Sequence, residues 1–369
     1  MKLSESVLKK SIVRKGNNYR LKQFFAGACA GKALTVGFIG GSITQGSLSS
    51  TPKTCYAYRT FEWLQKTFPG ASFTYVNAGI GGTTSQFGVS RAERDLLSKK
   101  PDFVVVEFSV NDENNPFFME TYEGLIRRIW LSESEPALVI LHNVQYDTGI
   151  SAEQVHGTVG EYYDIPAVSI KRGEYREILE GHIERGEITP DMLHPNDTGH
   201  ELLAKQLCFL LDSIRNDELT DIPFEFPLKP LTANRFENAG RILSDCVCEA
   251  SGFTPDLSLK QNSWDHFKNG WTATKKGSKI SFELDCSVLA VQYRKTTDKP
   301  APAAVAVLDG NESLGVCLDA DFKETWGDCL YCETILDSKE KKHHRLDIML
   351  TDTHENDAKP FYLLSILYA

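Results

Sequence analysis

The sequence predicts an α/β domain with a parallel sheet covered on both faces, followed by an all-β domain built as a sandwich. Three observations predict this. Between residues 31 and 217, short uncharged apolar runs alternate with segments of helical spacing, the pattern of a parallel sheet buried under helices. Around 217–230 the chain turns charged and is punctuated by Pro223, Pro227 and Pro230. Beyond that point the periodicities are short and strand-like, with turn signals such as Asp309-Gly310-Asn311 between them. The expected organisation is an N-terminal extension over 1–30, the α/β domain over 31–217 and the β domain over 218–369, with 217–230 as linker. A length of 369 residues suits two domains.

The elements follow in order. Residues 36–39 read as a buried strand that breaks into Gly40-Gly41-Ser42. Residues 56–68 have apolar positions at helical spacing and stop at Pro69-Gly70. A strand is expected at 73–77, a helix at 87–97, a strand at 103–108 and a helix at 122–131. Strands follow at 137–142 and 167–170, then a helix at 174–182. After the loop 186–196, a helix from Thr198 carries Leu202, Leu203, Leu207, Leu210 and Leu211 on one face, with Asp197 suited to its N-cap. In the second domain strands are expected at 279–284, 288–293, 304–308, 345–350 and 361–367.

Composition narrows the function classes. The chain is 41% hydrophobic and 24% charged, with a net charge of −10. That sign is wrong for a nucleic-acid groove or an anionic membrane surface. No apolar run approaches the ~20 residues of a membrane span. The N-terminal residues lack the apolar core of a secretory signal, so a cytoplasmic protein is expected. The nine cysteines do not form a disulfide framework. Cys246 and Cys248, and Cys329 and Cys332, have no His pair at zinc-ligand spacing, and no metal is expected.

Four stretches carry chemistry. Gly40-Gly41-Ser42 places a serine at the carboxyl end of a buried strand, where open α/β sheets put their ligand sites. After the next strand, the stretch 76–84 holds three glycines in four positions and exposes backbone N–H groups. After the third strand, the stretch from Ser109 to Asp112 sets the Asn111 amide side chain just past the sheet. Near the end of the α/β domain, Asp191 precedes His194 by three residues, close enough to reach the ring Nδ1–H. Each stretch alone has a plain alternative as a turn, a flexible loop or a helix cap. His200 is a weaker candidate base. Glu107, inside an apolar strand, is expected to be hydrogen-bonded and structural.

In this order the four stretches resemble the SGNH/GDSL hydrolase superfamily, over about 31–215. The resemblance implies a three-layer α/β/α domain and a serine esterase. Ser42 would be the nucleophile, His194 the base and Asp191 the acid. Ser42, Gly82 and Asn111 would supply the oxyanion hole, with Gly81 the neighbouring candidate. No cofactor or metal is implied. One departure is Gly41, where many relatives carry Asp. The whole chain is similar to two-domain carbohydrate acetyl esterases, whose second domain is a jelly-roll sandwich resembling a carbohydrate-binding module. It is most similar to the mannan O-acetyl esterases of carbohydrate esterase family 17. The implied substrate is an acetylated oligosaccharide, manno-oligosaccharides first. An acetylxylan, lipid or thioester hydrolase is the alternative, and a non-catalytic glycan-binding protein the alternative of another class. Trp264, Trp271 and Trp326 offer indole faces for sugar stacking, although tryptophans in such domains also serve as core. His142, ending a strand, is a further candidate to line the cleft.

Overall fold

Strands run parallel through the centre of the first unit, with one antiparallel strand at the edge. The computed structural model describes residues 2–246, 249–261, 265–324 and 326–369, and the chain divides into two units after Glu237. The strands of the first unit are β1 (Ile12–Arg14), β2 (Ala33–Gly40), β3 (Ser72–Gly79), β4 (Phe103–Glu107), β5 (Ala137–His142) and β6 (Ala167–Ser169). Their order is β1-β6-β5-β4-β2-β3, with β1 antiparallel to β6 and the remaining pairs parallel. The chain leaves β2 for β3 on one side and returns to β4 on the other. The carboxyl ends of β2 and β4 therefore flank a topological switch point, where open α/β sheets form their binding crevice.

Among the described residues, ten α-helices complete this unit: α1 (Glu5–Ser11), α2 (Tyr19–Cys29), α3 (Ser42–Gln45), α4 (Tyr56–Thr67), α5 (Ser85–Asp95), α6 (Pro116–Trp130), α7 (Glu153–Tyr162), α8 (Glu174–Leu179), α9 (Arg185–Ile188) and α10 (Asp197–Arg215). One core joins Phe24 and Phe25 of α2, Phe61 and Leu64 of α4, and Leu203, Leu207 and Leu210 of α10 to Val36, Phe38, Val105 and Val139 of the sheet. Burying each such side chain contributes about 1.5–3 kcal/mol. Helices α5, α6 and α7 pack successively on one another. The cap of α10 is Asn196 rather than Asp197: its Oδ1 accepts from the N–H groups of Thr198 and Gly199. Asp197 instead ties down Ser50 through its N–H (2.8 Å) and hydroxyl (2.5 Å).

Two segments differ from expectation. Residues 1–30 are woven into the α/β unit: β1 extends the sheet, and Leu21, Phe24, Phe25 and Ala28 of α2 are core. Their i, i+3, i+4, i+7 spacing is an amphipathic face. The expected linker is a strap on α6 and α7. Phe226 stacks on Tyr163 at 4.7 Å, Arg127 donates to the Pro227 carbonyl, and buried Glu123 accepts the N–H groups of Leu231 and Thr232. The prolines there have no N–H, so this irregular segment carries fewer backbone donors to satisfy.

The second unit is an antiparallel sheet of β7 (Gly240–Ile242), β8 (Glu249–Ser251), β9 (Thr254–Pro255), β10 (Trp271–Ala273), β11 (Lys279–Lys295), β12 (Ala303–Leu308), β13 (Val316–Asp319), β14 (Cys329–Asp352) and β15 (Phe361–Tyr368). The path is β13-β12-β14-β11-β15-β10-β9, with β7 on β15 and β8 on β11. The runs 279–284 and 288–293 are one strand with a register shift between Cys286 and Val288. A one-residue slip moves the inward set to the other parity. Ile280 and Phe282 before the shift, and Leu289 and Val291 after it, meet in one core. No helix among the described residues is long and apolar enough to cross a membrane.

Candidate active site

Parallel, in-register strands bring the chemical stretches together. Gly40 at the end of β2 lies opposite Gly79 of β3 and Glu107 of β4, so the residues after these strands emerge at one edge. The turn into α3 is closed on itself. A Cβ at Gly40 would sit 2.2 Å from Thr44 Oγ1 and 2.4 Å from the Glu107 carbonyl oxygen. At Gly41 it would sit 2.2 Å from Asn111 Oδ1. This accounts for the glycine at 41: the Asn111 carboxamide occupies the space an Asp side chain would need.

Ser42 opens α3 and is 6% exposed. Its Oγ lies 2.8 Å from His194 Nε2, and His194 Nδ1 lies 2.6 Å from Asp191 Oδ2. Asp191 Oδ1 also accepts from the N–H groups of Leu193 (3.0 Å) and His194 (2.7 Å). Burial pushes the Asp191 carboxyl up, but the His194 ring and these two N–H groups outweigh it and hold the carboxyl below its ordinary range. Between the two residues Met192 adopts φ +67°, a left-handed conformation that a non-glycine residue keeps only when its surroundings impose it. The Asp191 side chain imposes it here by closing the turn.

The glycine loop is sorted by Gln45. Its Oε1 accepts the Gly81 N–H at 2.8 Å, so that donor is directed away from a substrate. Gly82 has φ +67°, and among the described residues no acceptor takes its N–H. A Cβ at Gly81 would lie 3.6 Å from Ser42 Cβ, which places this loop against the serine. Asn111 reaches the same turn from the β4 side. An alkoxide formed at a carbonyl attacked by Ser42 would face these groups.

Beneath the site Glu107 is fully buried. Its carboxylate accepts from the N–H and hydroxyl of Ser109 and from Thr44 Oγ1 (3.4 Å), which in turn contacts the Tyr56 hydroxyl (2.8 Å). Burial pushes this carboxyl up to about 7, with those hydrogen bonds pulling the other way. His200 is also buried, which pushes it down to about 4. Its Nδ1 accepts from the Tyr56 N–H, and its Nε2 faces the Ser47 carbonyl. It supports the serine loop and does not reach Ser42.

Residues 38–202 match the GDSL-like Lipase/Acylhydrolase family. Over its full length the chain is 48% identical to a crystallised two-domain esterase active on acetylated mannans, solved with mannopentaose. That match covers 100% of this chain and 98% of the other with a TM-score of 0.94. The chain belongs to the GDSL hydrolase family. A second structure of a two-domain esterase active on acetylated mannans is 49% identical, with 98% of both chains covered and a TM-score of 0.96. An acetylxylan esterase of Geobacillus stearothermophilus is 26% identical over 198 residues, 46% of this chain and 89% of that protein. A thioesterase 1/protease 1/lysophospholipase L1 of Escherichia coli strain K12 is 24% identical over 198 residues, 51% of this chain and 88% of that protein. Membership makes this chain a carboxylic ester hydrolase.

The remaining candidates of this GDSL hydrolase fall in different places. His142 does not line a cleft: it is 0% exposed at the end of β5. Burial and then the neighbouring His156 push it well below the ordinary range, keeping it neutral. Trp271 is 2% exposed, edge-to-face with Phe282 in the β core; its position opposite Leu363 in the sheet points it inward. Trp264 lies outside the described residues. Trp326 is 61% exposed, with its ring 4.9 Å from Phe322. Two partners escaped the sequence reading: Gln45, and His156, whose ring Nε2 lies 3.0 Å from Oδ2 of buried Asp112.

Proposed function

We propose that this GDSL hydrolase removes O-acetyl groups from acetylated manno-oligosaccharides through an acyl-enzyme on Ser42. The observation that carries the reading is the unbroken line Ser42–His194–Asp191, at 2.8 and 2.6 Å. His194 takes the Ser42 proton as the oxygen attacks the acetyl carbonyl. Asp191 fixes the ring tautomer and steadies the imidazolium. The Ser42 and Gly82 N–H groups and the Asn111 amide receive the oxyanion, and each such donor is worth about 3–4 kcal/mol of barrier. His194 then passes the proton to the departing sugar hydroxyl. It next activates the water that releases acetate. The loop from Gly46 to Thr54, rich in small polar side chains apart from Leu48, suits an acetyl group better than a long acyl chain. The full-length relatives active on acetylated mannans favour a mannan-derived sugar, and an exposed indole such as Trp326 is suited to stack on it.

Acetate release from acetylated manno- and xylo-oligosaccharides, followed by NMR of the acetyl signals, tests the reading. Faster release from the manno series is expected. Preference for xylo substrates, or turnover rising with acyl length across p-nitrophenyl esters, would overturn it. Trp326→Ala should slow hydrolysis of acetylated oligosaccharide at least about tenfold while sparing p-nitrophenyl acetate, which has no sugar to stack. Equal loss on both substrates would count against a role in sugar binding.

A further inference from the structure

The oxyanion donors assigned above come from separate segments, and their spacing has to be held to a few tenths of an ångström. The Ser42 and Gly82 segments are bound to each other directly: the Ile80 N–H donates to the Gly40 carbonyl (3.0 Å) and the Gly81 N–H to Gln45 Oε1 (2.8 Å). The Asn111 segment is tied to the glycine loop by a different device. Asp112, next in sequence to Asn111, accepts the Ser85 N–H on Oδ1 at 2.9 Å. Ser85 begins α5 directly after the loop carrying Gly82. The other oxygen, Oδ2, takes the His156 Nε2–H at 3.0 Å. The His156 ring lies flat on Tyr122, centroids 3.7 Å apart and 9° from parallel. Both members of the pair are buried.

Helix α7, which carries His156, grips the same loop at further points. The Ala152 N–H donates to the Ser109 carbonyl (2.7 Å). The Asn114 amide donates to the Ser151 carbonyl (2.6 Å) and accepts from the Val155 N–H (3.3 Å). A carboxylate buried this deeply persists only with hydrogen-bond donors on it. Here the donors are the start of α5 and the ring on α7. If Asp112 moves, the Asn111 amide beside it and the Gly82 loop behind Ser85 lose their common anchor.

We propose that Asp112 and His156 are a positioning pair that holds the Asn111 and Gly82 arms of the oxyanion hole in register. The proposal rests on the serine mechanism above. Its test compares Asp112→Ala, Asp112→Asn and His156→Phe with wild type and Ser42→Ala, using p-nitrophenyl acetate. Active sites are counted with a fluorophosphonate. The second probe is phenylboronic acid, which forms a tetrahedral anionic adduct on a serine. Asp112→Ala removes both anchors, so kcat per active site should fall about 10- to 100-fold with KM within twofold. Phenylboronic acid should weaken by a similar factor. Asp112→Asn keeps an acceptor for the Ser85 N–H and should recover most of that loss. His156→Phe keeps the ring on Tyr122 but removes the donor, and should fall between them. That variant carries the test if Asp112→Ala does not fold. Wild-type kcat in folded His156→Phe, or a fall in kcat with unchanged boronate affinity, overturns the positioning role. Retained turnover in Ser42→Ala would instead overturn the serine mechanism itself.

Discussion

Two aspartate–histidine pairs sit among the described residues of the α/β unit, and they differ in nearly everything but chemistry. Asp191 and His194 are three residues apart on a partly exposed loop, and the ring's far nitrogen meets the Ser42 hydroxyl. Asp112 and His156 are brought together from a loop and a helix, buried, with the ring packed against Tyr122. In the proposed reaction the first pair accepts the Ser42 proton beside the substrate. The second meets neither, and its carboxylate faces a backbone N–H instead. Identical functional groups act on protons where a hydroxyl and solvent reach them. They act on geometry where packing closes them off.

Ser42 is the point at which the two pairs differ most. Ser42→Ala should abolish esterase turnover, by at least about a thousandfold. It should shift unfolding stability by less than ~1 kcal/mol, since only a small hydroxyl is lost from a glycine-held turn. Wild-type turnover in that variant would remove the Asp191–His194 pair from the chemistry altogether.

The same substitution in each pair sharpens the contrast. Asp191→Asn presents an amide to a ring that must become charged, so kcat should fall on the order of 10³–10⁴-fold. Asp112→Asn should cost only a few-fold, because its task is to accept a backbone hydrogen bond. Similar losses in stopped-flow assays of the two variants would erase the distinction drawn between them.

Glu107 lies between the two systems, holding Thr44 behind the serine and Ser109 ahead of Asn111. Its folded pKa of about 7 exceeds the ordinary 4.5. The folded state therefore keeps the proton where the unfolded chain has released it. Stability from this group is fully present below about 4.5 and is lost as pH rises to about 7. Glu107→Gln has no proton to release, so the difference between its urea midpoint and that of wild type should change across pH 4.5–7.5. Roughly 3 kcal/mol is at stake. A constant difference would mean that Glu107 is ionised throughout. The smallest effect expected is none: EDTA should leave turnover unchanged, and loss restored by zinc or manganese would argue for a metal-assisted reaction in place of the Ser42–His194 pair.

Much of this was legible in the chain itself. Apolar runs and helical spacing set the α/β order, because burial on both faces of a sheet leaves a strong local pattern. Ser42, Asn111, Asp191 and His194 stood out because each ends a strand or shares a short loop, where spacing alone limits reach. The tertiary structure decided what local pattern does not record. Asn196 rather than Asp197 caps α10, since both residue types cap well and Ser50 claims the other. His142 and Trp271 are buried, because which side of a strand faces the core depends on what packs there. Residues 217–237 clasp the α/β unit, their partners Glu120 and Glu123 lying on a helix about a hundred residues earlier. His156 had no neighbour in sequence to mark it; its carboxylate is 44 positions away. Local spacing determines which residues can react, and long-range packing determines which of them are held still.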